Sequence, residues 1–145
     1  MRVVGPPEVP APVGGYAHAV DIRGPARLLF ISGQIPVDGD GEVPPDFEAQ
    51  CRLVWEHIGS LLRSAGLDYR HLIKVTTFLA DRSHAVINAA VRREFLGSHT
   101  PALTVMCADL LEERWLLEIE AIAGLELPPE KPRIVGAYDA PGGGI

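Results

Sequence analysis

Apolar side chains recur every three or four residues between Asp46 and Ala65, which is the spacing of one buried face of an α-helix. Asp46 is a suitable N-cap, and Gly66 is a suitable residue just beyond the C-terminal end. The segment therefore predicts an amphipathic helix. Its inward positions are Phe47, Cys51, Val54, Ile58, Leu61 and Ala65.

A second, shorter helix is predicted from Ser83, the expected N-cap, to Gly97, where the pattern ends. Pro101 then interrupts the chain. The side chains expected to face inward are Val86, Ile87, Ala90, Val91 and Phe95.

Short runs of β-branched and apolar residues predict five strands, within 16–22, 28–31, 73–79, 103–108 and 116–123. The Asp and Gly residues at 38–41 indicate a turn. A calcium-binding loop is not expected there, because its twelfth position, counted from Asp38, is Ala49 and not a glutamate. The order β-β-α-β-α-β-β predicts an α+β domain with two helices on one face of a sheet.

The last strand alternates in a way that bears on both packing and chemistry. Glu118 and Glu120 share one face with Leu116 and Ile122, and the opposite face is wholly apolar. Both faces are too apolar for open water, which predicts self-association through the sheet. Two neighbouring carboxylates can act as an acid and a base in a pocket, or they can be solvated side chains at an edge.

Length and composition predict one folded domain at 16–126, between an irregular lead-in (1–15) and a Pro/Gly-rich tail (127–145). A net charge of −6 and an aromatic content of 6% argue against a nucleic-acid partner, which requires concentrated Lys and Arg. The five histidines lack the spacing of a helical metal pair, so no metal site is expected.

The two cysteines do not form a disulfide framework, and both are expected in the core. The sequence shows neither a signal peptide nor an apolar run of the ~20 residues that span a membrane. We therefore expect a cytoplasmic protein without a membrane partner.

Several segments resemble, in chain order, the motifs of one known family. They include F-I-S-G-Q-I-P at 30–36, K-V-T-T-F-L at 74–79 and E-I-E-A-I-A at 118–123, with further similarity at 16–20, 46–66, Asn88, Phe95 and 101–102. The ordered set resembles the Rid (YjgF-type) family of reactive-intermediate deaminases.

This resemblance implies a chorismate-mutase-like fold and a homotrimer, in which three sheets form a central barrel with a ligand cleft at each subunit interface. Family members hydrolyse small enamines and imines, such as 2-aminoacrylate, to a 2-keto acid and ammonia without a metal or cofactor. It further implies that Glu120 orients water or acts as a base. The cleft-lining residues would be Tyr16, Ser32, Gly33, Asn88, Leu103, Thr104 and Val105.

The sequence departs from the family pattern directly after Pro101 and Ala102. Active members carry an arginine there, which grips the substrate carboxylate, whereas this chain has Leu103. Val105 stands where many members have a cysteine. We therefore expect inefficient hydrolysis of 2-aminoacrylate, unless Arg82 or Arg114 reaches the cleft in place of the missing arginine.

Two other functions stay open at this point. One is a trimer that binds or responds to a small molecule without catalysis, for which the apolar Leu103 and Val105 are suited. The other is a ribonuclease, which the acidic net charge disfavours.

Overall fold

The structure is a computed structural model that describes residues 1–4, 12, 15–24 and 26–128. The strands are β1 (Arg2–Val4), β2 (Ala19–Asp21), β3 (Ala26–Gln34), β4 (Leu72–Leu79), β5 (Ala102–Cys107) and β6 (Leu117–Glu126). The helices are α1 (Phe47–Ser64) and α2 (Ala85–Leu96), with short 3-10 turns at Tyr69–His71 and Arg82–His84.

The main sheet is mixed and has the strand order β3-β6-β4-β5. Strand β6 pairs antiparallel with both β3 and β4, whereas β4 and β5 run parallel because α2 connects them. Strands β1 and β2 form a separate antiparallel pair. The predicted α+β class, with two helices against one mixed sheet, is confirmed.

The hydrophobic core lies between α1, α2 and one face of the sheet. In β6 the residues at odd positions, from Leu117 to Ala123, are fully or almost fully buried against the helices. From α1 the core receives Phe47, Cys51, Val54, Trp55, Ile58 and Leu62. The alternation and the helix periodicity in the sequence thus identified the interior of the molecule.

The opposite face of the sheet carries large apolar side chains that the single chain leaves exposed. Phe30 is 71% exposed, and Leu28 and Met106 are each 48% exposed. This surface, here called the open sheet face, also contains Glu118, Glu120 and Ile122, which alternate with the core residues of β6.

The first helix matches its predicted bounds and cap, but the expectation that Leu61 faces inward is wrong. Leu61 is 41% exposed, because the buried face continues from Ile58 to Leu62, four residues on. The carboxylate of Asp46 accepts a hydrogen bond from the backbone N–H of Ala49 at 2.9 Å, as an N-cap does. Gly66 follows the helix with a φ of +71°, a conformation that favours glycine.

The second helix differs from its prediction at its start and in its orientation. Ser83 is not its N-cap: the side chain of Asp81 accepts from the backbone N–H of Ser83 and caps a 3-10 turn. The helix α2 follows this turn, and its N-cap is His84, which makes no side-chain capping hydrogen bond. Val86 is 79% exposed and Ile87 is 40% exposed, so the expectation that they face inward is wrong. The residues that α2 buries are Asn88, Val91, Arg92 and Leu96.

The N-terminal segment and Cys107 differ from their predictions. Arg2–Val4 is a strand inside the predicted irregular lead-in, because it pairs with β2. Cys107 is exposed rather than in the core, because it ends the edge strand β5. Most of the remaining lead-in and residues 129–145 of the predicted tail lie outside the described residues.

Neither helix in the described part of the chain has the length and hydropathy that a membrane crossing requires.

Candidate functional site

A cavity of about 360 Å³ lies beside β5, between that strand and α2. We call it the edge cavity. It is lined by Tyr16, Ala85, Asn88, Ala89, Arg92, Leu103 and Val105.

Tyr16 reaches the edge cavity because the chain before β2 runs along β5. The backbone N–H of Ala17 donates to the carbonyl of Pro101 at 2.9 Å, and Ala17 forms a parallel bridge with Ala102. The ring of Tyr16 also packs edge-on against His18, with centroids 5.7 Å apart. These contacts fix the tyrosine at one side of the cavity.

The helix side of the edge cavity is polar. Asn88 and Arg92 are one helical turn apart on α2 and are 2% and 5% exposed. The thiol of Cys51 lies 3.9 Å from the side-chain oxygen of Asn88, which can accept its hydrogen bond. Burial raises the pKa of Cys51 to about 12, so the thiol keeps its proton at neutral pH.

The strand side of the edge cavity is apolar. Leu103 and Val105 lie on the helix-facing side of β5, in register with the buried Val75 and Thr77 of β4. Leu103 packs against the hydrophobic core, and Val105 is 38% exposed. A ligand in the edge cavity therefore meets two aliphatic side chains from the strand and two polar ones from the helix.

A second cavity, of about 260 Å³, lies on the open sheet face. We call it the sheet pocket. It is lined by Phe30, Ile31, Ser32, Lys74, Thr76, Glu120, Ala121 and Ile122.

Polar groups form a row across three adjacent strands at the sheet pocket. Glu120 of β6 is in register with Thr76 of β4, which is in register with Thr104 of β5. The ammonium group of Lys74 donates a short hydrogen bond to the hydroxyl of Thr104. The pocket thus combines a carboxylate, an ammonium group and hydroxyls.

Gly33 allows β3 to pass close to the carboxylate of Glu118. A Cβ atom at Gly33 would overlap with Oε1 of Glu118. Glu118 and Glu120 point to the same side of the sheet, as the alternation predicted.

The structure divides the predicted site residues into two groups. Tyr16, Asn88, Leu103 and Val105 line the edge cavity, whereas Ser32, Gly33, Thr104 and Glu120 lie at or beside the sheet pocket. The first group lies on the helix side of the sheet, and the second lies on the open side. Within one chain the two groups therefore belong to separate cavities.

The two arginines considered as replacements lie elsewhere. Arg82 is exposed in the turn before α2, and Arg114 donates to Glu112 at 3.0 Å. Neither lines the edge cavity or the sheet pocket.

Sequence reasoning missed Arg92 and Lys74 as residues of these cavities. Arg92 follows Asn88 by four positions, so the expected helix would already have placed both on one face. The apolar residues of α2 pointed to a different face and concealed this signal. Among the described residues, no group of three or more His, Cys, Asp and Glu is arranged to hold a metal ion.

Comparison with known proteins identifies one family. A sequence profile of the family described as endoribonuclease L-PSP matches residues 7–125. A RutC family protein of Pasteurella multocida is 35% identical over 127 residues, covering 84% of this chain and 96% of the relative. The putative reactive intermediate deaminase TdcF of Escherichia coli is 32% identical over 126 residues, covering 84% and 95%.

Solved structures agree with the sequence relatives. A protein of the Rid family, YyfB from Yersinia pestis, superposes with a TM-score of 0.76 at 27% identity, covering 86% of this chain and 98% of that one. The structure of E. coli TdcF with bound serine gives a TM-score of 0.63 at 31% identity, covering 85% and 98%.

Proposed function

The chain belongs to the endoribonuclease L-PSP family, among its Rid (YjgF-type) members, and on this premise we propose that it binds and hydrolyses a small imine or enamine. The ligand would occupy clefts between the subunits of a homotrimer. In each cleft the edge cavity of one subunit would face the sheet pocket of its neighbour.

One observation carries this proposal: the candidate residues lie on opposite faces of the sheet. The described residues that line the edge cavity could contact a ligand, but none of them has a carboxylate. Glu120 lies on the opposite face of the sheet, at the sheet pocket. The approach of a second subunit would bring the two halves together. The exposed apolar residues of the open sheet face, such as Phe30, supply a surface for such an approach.

Glu120 is the proposed base of the reaction. Its carboxylate accepts a proton from water as the water oxygen bonds to the imine carbon. Glu120 passes this proton to the nitrogen. The nitrogen then takes up the proton of the new hydroxyl group as the carbon–nitrogen bond breaks, so that the carbonyl forms and ammonia leaves. One imine and one water give one carbonyl compound and one ammonia, so the reaction needs no redox cofactor.

Leu103 limits which substrates suit the cleft. Its side chain stands where active relatives are expected to carry an arginine, and it cannot bind a carboxylate. Efficient hydrolysis of 2-aminoacrylate is therefore not expected. The relative crystallised with serine, E. coli TdcF, supports a small-molecule ligand for this fold.

The proposal is tested by imine hydrolysis. Imino acids would be generated in situ with an amino-acid oxidase, and diversion from semicarbazide trapping would be measured. We expect wild-type activity on at least one imine and a loss of about 10²–10⁴-fold for Glu120→Gln, the usual contribution of a positioned base. Glu56→Gln, which alters an exposed glutamate of α1, is the matched control and retains activity.

Full activity in Glu120→Gln would remove Glu120 from the mechanism. If the wild type hydrolyses no imine and Leu103→Arg gains imine hydrolysis, the fold is able to support hydrolysis but hydrolysis is rejected as the native function.

A trimer that binds a metabolite without catalysis is the second candidate, because Leu103 and Val105 give the edge cavity an apolar wall. Thermal-shift screening followed by mass spectrometry separates the two functions, since a bound metabolite recovered unchanged indicates binding alone. RNA cleavage that a Glu120→Gln variant abolishes would instead support the ribonuclease activity named in the family description.

A further inference from the structure

We infer that Arg92 is the anion-binding residue of the edge cavity, and that its ligands are small carboxylates with an apolar side chain, such as branched 2-oxo or 2-imino acids. The inference rests on the proposed function only in taking the edge cavity as the ligand site. It replaces the expectation that this site lacks a cation.

The charge of the cavity is the first argument. Of the described residues that line the edge cavity, Arg92 is the only charged one. The neutral polar groups beside it, the hydroxyl of Tyr16 and the amide of Asn88, can both bind a carboxylate. The cavity is therefore built to take an anion rather than a cation.

The position of Arg92 is the second argument. Arg92 is 5% exposed and borders the edge cavity, so its charge is largely shielded from bulk water there. Burial and the nearby Arg93 lower the pKa of Arg92. The guanidinium nevertheless remains charged at neutral pH, because arginine starts from a very high pKa.

A buried guanidinium favours an anion more strongly than an exposed one. Water screens a charge at the surface, whereas a partly dry cavity leaves the attraction to a carboxylate stronger. Arginine can also donate two parallel hydrogen bonds to a carboxylate, which fixes the orientation of the ligand.

The position of the Arg92 guanidinium opposite an apolar wall indicates which ligands suit the cavity. Arg92 belongs to α2, whereas Leu103 and Val105 form the facing wall on β5. A carboxylate held at the helix side places the rest of the ligand against aliphatic side chains. An apolar ligand side chain would be buried there, which favours branched acids over the small 2-aminoacrylate.

Binding of 4-methyl-2-oxopentanoate, compared with its neutral amide, tests the inference. By titration calorimetry the wild type should prefer the carboxylate by about 10- to 100-fold, the usual value of a charge-assisted hydrogen-bonded pair. Arg92→Met should lose this preference while binding the amide as before, and Arg92→Lys should keep part of it. Arg93→Met removes an exposed charge from the next position and should keep the full preference.

A rescue variant separates recognition from a structural role. Leu103→Arg in the Arg92→Met background places a guanidinium on the opposite wall of the same cavity. It should restore a preference for the carboxylate. Thermal melting and mass in solution would be compared for every variant to check that each is folded. If Arg92→Met does not fold, the inference is tested by the carboxylate preference of the wild type and by its reduction in Arg92→Lys.

The inference is overturned if the wild type binds acid and amide equally, if it binds neither at millimolar concentration, or if Arg92→Met keeps the preference. Carboxylate binding that depends on Arg92 without imine hydrolysis would reject only the proposed catalysis. Hydrolysis that depends on Glu120 but is indifferent to Arg92 and to the carboxylate would reject only this inference.

Discussion

At the scale of single residues, burial rather than residue type decides which groups take part in chemistry. Cys51 and Cys107 look alike in the sequence, yet Cys51 is fully buried and Cys107 is exposed. Arg92 and Arg93 are adjacent in the chain, yet only Arg92 lines the edge cavity. Such pairs provide matched controls, because one member changes its environment on folding and the other remains solvated.

The first prediction at this scale concerns stability at alkaline pH. Burial raises the pKa of Cys51 from 9.0 to about 12, so between these values the thiol ionises in the unfolded chain but not in the folded one. The contribution of Cys51 is therefore fully present below pH 9 and is lost as the pH rises towards 12. The expected slope is up to about 1.4 kcal/mol per pH unit.

Urea unfolding under reducing conditions at several pH values measures this slope. Cys51→Ala should fall less steeply with pH than the wild type, whereas Cys107→Ala should follow the wild type. Identical slopes for all three proteins would show that Cys51 does not titrate differently in the two states.

At the scale of secondary-structure elements, the two helices differ in how fully their sequences specify them. In α1 a cap, a long apolar periodicity and a terminal glycine all indicate the same boundaries and the same buried face. In α2 the apolar residues suggested one face, but the helix packs against α1 with Asn88 and Arg92 buried instead. A short helix with apolar residues on several sides is oriented by its neighbours.

The cap of α1 gives a prediction at this scale. Asp46→Ala removes the acceptor for the N–H of Ala49 and should lower the free energy of unfolding by about 1 kcal/mol. Asp46→Asn keeps a side-chain oxygen at the cap and should change it by only a few tenths of a kcal/mol. Chemical denaturation measures both, and equal losses in the two variants would contradict the capping role.

At the scale of the whole molecule, the open sheet face is the main feature that one chain leaves unexplained. Phe30, Leu28 and Met106 place large apolar surfaces in water on the side away from the helices. Exposed apolar patches of this kind mark association sites. Phe30 both belongs to the exposed face and lines the sheet pocket, so the proposed assembly would also cover the pocket.

Self-association gives the prediction at this scale. The wild type should sediment with three times the mass of the chain. Phe30→Asp should sediment as a smaller species, because an interface would have to bury an unpaired carboxylate. Leu61→Asp alters a residue that is 41% exposed on α1, against 71% for Phe30, and should leave the mass unchanged. A monomeric wild type would reject the trimer.

The sequence by itself determined the two helices, the five strands other than β1, the α+β class and the family, because these depend on local spacing and on ordered motifs. The alternation of Glu118 and Glu120 with buried residues was also readable, since a strand fixes the direction of successive side chains. The tertiary structure alone decided that Leu103 and Glu120 lie on opposite faces and that Arg92 lines the cavity beside Leu103. The first placement depends on the register of β5 and β6 against β4, and the second on how α2 lies against α1 and beside β5. Contacts between segments distant in the chain leave no local pattern in the sequence.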